Sequence, residues 1–188
     1  MDIKKILYNE IDNMGKNHLR ILLSNNVYNS KTIIDSLFNK CSVLLNKDNL
    51  FEDESALFAE ALLHFVLTMS MIPAERKINL DGIDIDILVP NSKSLKDNND
   101  KAIVIHFQKH KKENIEETMN DLTKIQKNLN NIWIVSSNNI NLNVNTFIDS
   151  SLLHADRYNI GLTYPFSDIL IKIDDFLKNT NYSGLKII

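Results

Sequence analysis

Two alternating runs, ERKINL (75–80) and IDIDIL (83–88), flank Asp81-Gly82. An Asp-Gly pair in that setting is the strongest short-range hairpin signal. A two-residue turn needs positive φ at its centre, which glycine adopts freely and aspartate tolerates. The turn then sets the register: Leu80 opposes Ile83, Ile78 opposes Ile85 and Arg76 opposes Ile87, while the other face pairs Asn79 with Asp84 and Lys77 with Asp86. One face is apolar and the other is polar and carries acids. A lone hairpin is at best marginally stable in water, so the chain must supply further strands and a layer to cover the apolar face.

The neighbouring sequence supplies them. After a polar loop, NSKSLKDNNDK (91–101), a third strand runs from Ala102 to Gln108. It turns Ile103, Ile105 and Phe107 one way and Val104, His106 and Gln108 the other. The basic run KHKK (109–112) ends it. An amphipathic helix is expected over Glu113–Leu129, then a short buried strand in NIWIVSS that places Trp133 in the core. A helix over 146–158, a strand in IGLTY and a final helix capped by Ser167 complete the chain.

Upstream of the hairpin, apolar spacing predicts a helix over the first 23 residues, broken near Gly15, and a second helix capped by Ser30. A third, over 55–71, is apolar almost all round except for a stripe of Glu60, His64 and Thr68. The expected architecture is α/β: a mixed central sheet with helices on both faces, forming a core domain over 51–188, plus an N-terminal helical extension over 1–50.

Composition removes several function classes. With 188 residues, 44% hydrophobic and 24% charged, the chain is an ordinary globular protein. The lone cysteine, Cys41, has no internal disulfide partner and falls on an apolar helical face. The longest apolar run, 61–72, is interrupted by His64 and is short of the ~20 residues of a membrane span, so a cytoplasmic location without membrane contact is expected. A net charge of -3 leaves a nucleic acid to be met only by a local basic patch. The first two helices put few basic residues on any face, which favours packing over DNA reading. Gly-rich phosphate loops, CxxC pairs, HExxH and GxSxG are all missing from the sequence.

The order helix, hairpin, strand, helix, strand, with GIDIDILVP on the second strand and AIVIHFQK on the third, resembles the PD-(D/E)XK, or restriction-endonuclease-like, superfamily. That superfamily includes Holliday-junction resolvases and many restriction and repair nucleases. The resemblance implies a divalent metal, Mg²⁺ or Mn²⁺, held by a second-strand aspartate and an acid two residues before a lysine on the third strand, with a helix glutamate assisting. Carboxylate oxygens suit such hard ions, and the ion polarises phosphate and activates water.

Carried over to this chain, the resemblance assigns Asp86 and Glu60 as metal ligands. His106 falls on the acid position, as third ligand or base, and Gln108 on the lysine position. Lys109 could replace Gln108 only if the strand bulged by one residue. The basic run itself offers Lys109, Lys111 and Lys112 as nucleic-acid contacts beside such a cleft, the alternative being a simply solvated strand-to-helix loop. Because His-x-Gln stands where Glu-x-Lys belongs, the leading expectation is a nuclease-fold protein of nucleic-acid metabolism that has lost cleavage and serves as a binding or assembly module. Its partners would be DNA or RNA, another protein or a second copy. The alternative is an active metal-dependent endonuclease using Asp86.

Overall fold

The computed structural model describes residues 3–45, 51–109, 114–137, 142–148 and 162–182. Its elements are α1 (Ile3–Met14), α2 (Lys16–Asn25), α3 (Asn29–Leu45), α4 (Phe51–Met69), β1 (Glu75–Leu80), β2 (Ile83–Val89), α5 (Ser92–Asp97), β3 (Ile103–Phe107), α6 (Ile115–Ile125), β4 (Ile132–Val135), β5 (Asn145–Ile148), β6 (Thr163–Pro165) and α7 (Ile169–Asn179). The strands form one sheet in the order β1-β2-β3-β4-β5-β6. β1, β2 and β3 pair antiparallel, whereas β3 through β6 are parallel.

Helices cover both faces. One apolar cluster joins α1–α4 and α7 to Ile87, Val89, Ile103, Ile105, Phe107, Val135 and Phe147. The other joins Leu95 of α5 and Leu122 of α6 to Ile85, Leu88, Val104, Ile132 and Ile134. Parallel strands enclosed in this way read as continuous apolar runs, as IWIV of β4 does.

The hairpin has the expected register, with Asp81 at φ 53 and Gly82 at φ 84. Asn79 braces it, accepting from the Gly82 amide and donating to Asp84 at 2.7 Å. One feature of the expected alternation fails. Ile85 and Ile87 are two residues apart yet belong to opposite clusters, and whereas Ile78 packs in the cluster of Ile85, Arg76 reaches Glu60 of α4. Lys77, with φ 52, lies where β1 changes face. Its left-handed backbone rotates the strand so that Arg76, expected beside Ile78, turns the other way.

Other local expectations are corrected by tertiary context. The polar segment 91–101 contains α5, capped by the Asn91 side chain and anchored by buried Leu95. Asn145–Ile148, expected to begin a helix, is a strand between two parallel neighbours, and burial on both faces overrides its helical spacing. The rest of that expected helix lies outside the described residues. Ser30 and Ser167 are not caps: each hydroxyl is buried without a hydrogen bond. Gly15, at φ 84, breaks α1 from α2 as expected. Cys41 is buried, and that burial pushes its thiol up to about 12. Among the described residues no helix is long and apolar enough to cross a membrane.

The start of β3 is tied down by Gln126. Its buried amide donates to the carbonyls of Asn99 (2.9 Å) and Ala102 (2.8 Å) and accepts from the Asn128 amide. Replacing it with leucine strands these groups. Gln126→Leu is expected to lower stability by about 2 kcal/mol, read as a lower urea midpoint, while exposed Asn120→Ala leaves the midpoint nearly unchanged.

Candidate functional site

The charged centre lies where β2 and β3 part. Their ladder pairs Ile87 with Ile105, and the next residue, Asp86, takes over the pairing with its side chain: Oδ2 accepts from the Phe107 amide at 2.9 Å. His106 Nδ1 lies 3.1 Å from the same oxygen, and Lys109 Nζ caps Oδ1. Asp86 is 9% exposed. Burial alone would raise its pKa, but the hydrogen bonds from His106, Lys109 and the Phe107 amide outweigh this and hold it at about 2. For Lys109, burial works to lower the pKa, yet the contacts with Asp86 and Glu60 prevail and raise it.

Glu60 enters from α4 and is 1% exposed. The bland reading of its helical stripe is a pair with His64, but its partner is Arg76. That guanidinium gives Nε and Nη2 to Oε1 at 2.9 and 2.7 Å, and Lys77 Nζ stands 3.8 Å from the same oxygen. The other oxygen, Oε2, is buried without a hydrogen bond and faces Lys109 Nζ at 3.5 Å. Lys109 therefore joins the two carboxylates. His64, one turn along, is exposed, and partial burial and then Arg76 lower its pKa.

The candidate residues thus divide. Asp86, Glu60, Lys109 and His106 come together. Gln108 does not join them: its Oε1 accepts from Ser136 Oγ at 2.7 Å, and its amide donates to Val135. The Lys109 side chain reaches Asp86 without a bulge in β3, because the strand has ended at Phe107 and Lys109 lies beyond it. Lys111 and Lys112 lie outside the described residues, as do His154 and Asp156. Sequence reasoning missed Arg76 and Lys77, placing the first on the apolar face and the second against Asp86. The signal was available in part, since an arginine on an apolar face needs a buried acid.

No family model matches the sequence, and no curated protein matches it. Solved structures do. The chain superposes on "Restriction endonuclease PspGI-substrate DNA complex" with a TM-score of 0.65 at 13% identity, covering 95% of this chain and 94% of that one. It superposes on "Metal-depleted Ecl18kI in complex with uncleaved DNA" with a TM-score of 0.66 at 10% identity, covering 100% and 82%. The chain has the restriction-endonuclease-like fold.

Within that restriction-endonuclease-like, PD-(D/E)XK frame, the donor set can be weighed for a metal. Among the described residues no three His, Cys, Asp or Glu side chains converge on one point. Mg²⁺, however, commonly takes one or two carboxylates and completes its shell with water and substrate phosphate. Asp86 Oδ1 and the unbonded Glu60 Oε2 fit that pattern, since both already face one cation, the Lys109 ammonium. His106 is engaged with Asp86.

Two outcomes follow for stability. Arg76→Met leaves Glu60 buried without its main partner and is expected to cost about 3 kcal/mol. Adding Glu60→Met to it is expected to recover part of that loss, which a double-mutant cycle in urea measures. As for pH, the Asp86 carboxyl sits at about 2 folded against 3.8 for a free one. Its contribution is whole above the free value and is lost as pH falls from there through 2, where both states are protonated. Asp86→Asn should flatten this part of the acid-unfolding curve.

Proposed function

We propose that this chain binds DNA and hydrolyses its phosphodiester bonds with a divalent metal at Asp86 and Glu60. The observation that carries the reading is the Lys109 ammonium seated between Asp86 Oδ1 and the buried Glu60 Oε2. It supplies, in space, the lysine that the third-strand pattern lacks in sequence. Support for DNA as substrate comes from the fold neighbours, whose structures are DNA complexes.

Asp86 through Oδ1 and Glu60 through Oε2 would hold the metal, which when bound polarises the phosphate and makes water a better nucleophile. The chain's own part is positioning and charge. The Phe107 amide and His106 fix Asp86 Oδ2, so that Oδ1 stays turned toward Lys109. Arg76 holds Glu60 by Oε1 and leaves Oε2 facing the centre. Lys109, 29% exposed at its side chain, has the reach to leave the carboxylates and meet the negative charge on a phosphate. Gln108, bonded to Ser136, braces the end of β3 against β4.

A second reading, a binding or assembly module without cleavage, is favoured by His106 standing in the third-strand acid's place. Incubating the purified protein with genomic DNA rich in short sequences, with Mg²⁺ or Mn²⁺, separates the two. Fragmentation that needs metal and is lost in Asp86→Ala, with that variant still folded by circular dichroism, is the expected result. DNA that is retained on the protein but stays intact under every metal condition would instead establish the binding module.

A further inference from the structure

β1 is the edge strand of the sheet, and a lysine in the left-handed region within a strand is uncommon and costs stability. Lys77 adopts that conformation beside the site, at φ 52. It lies in β1 between Arg76 and Ile78, which pair with Ile87 and Ile85, and its ammonium is 3.8 Å from Glu60 Oε1, with a side chain 58% exposed. The same backbone twist turns Arg76 inward to saturate that oxygen. Lys77 is therefore not required to neutralise Glu60. Its charge stands at the open rim of the centre, on the same Glu60 oxygen as partly exposed Arg76. Counted together, Arg76, Lys77 and Lys109 set three cations against the carboxylates of Glu60 and Asp86, leaving one positive charge in excess.

We propose that Lys77 is a backbone-phosphate contact, held by its left-handed conformation so that it grips a phosphate of the bound duplex next to the one facing Asp86. The inference rests on the DNA-binding reading above and deepens it. The strain at residue 77 is then maintained for binding, and stability and binding should respond in opposite directions to its removal.

Lys77→Gly tests this, because glycine takes φ 52 without penalty and deletes the charge. Binding to a fluorescent mixed-sequence duplex without divalent metal is followed by anisotropy over a range of salt. The expected result is a urea midpoint equal to or above wild type, a several-fold weaker affinity, and a log K against log salt slope shallower by about 1. Lys77→Arg should restore the slope. If the glycine variant binds with wild-type affinity and slope, the phosphate contact is wrong while the DNA reading stands. If wild type binds no duplex even at low salt, both fall. A glycine variant less stable than wild type would assign the left-handed lysine a purely structural role and overturn the inference.

Discussion

The hydrogen bond from the Phe107 amide to Asp86 is the contact on which the rest of the centre depends. Two antiparallel strands that separate leave backbone donors exposed to the protein interior, and each must find an acceptor. At the parting of β2 and β3 the acceptor is a carboxylate rather than a carbonyl. That choice brings a negative charge into a site almost closed to water, and an unpaired buried carboxylate is too costly to persist. His106 and Lys109 are the local answer, and both come from the segment that carries Phe107.

A second constraint comes from α4. Glu60 is as buried as the apolar residues around it and projects toward the same place, so the interior holds two acids within reach of one lysine. Arg76 makes this tolerable, and the reversal of β1 at Lys77 is what delivers Arg76 to it. Replacing such a set with apolar residues is often neutral or stabilising in other proteins. Five charged groups gathered around a strand end are therefore weak evidence for stability by themselves.

Much of the scaffold was legible because its signals are local. Asp81-Gly82 set the hairpin register, the 3.6-residue period marked α6 and α7, and alternation in 103–107 assigned each side chain of β3 to its face. The failures share one cause. Helix spacing over 145–148 lost to burial between two strands, and the polar run 91–101 folded around a single apolar anchor, Leu95. The expected alternation of β1 lost to the demand of Glu60, sixteen residues before Arg76. Each is a decision made by groups distant in sequence, which no local period records.

The site shows the same division. A linear motif assumes that the strand continues, and under that assumption Gln108 holds the lysine position and the centre looks disabled. Here β3 stops at Phe107 and Lys109, two residues on, reaches Asp86, so strand alternation no longer fixes which side chain faces it. An ammonium needs only a point contact with a carboxylate, and a long flexible stem can deliver it from the next residue. The position of His106 is less forgiving, because its ring is tied to the strand. A lysine on a flexible stem can thus be supplied from outside the linear motif, as Lys109 is here.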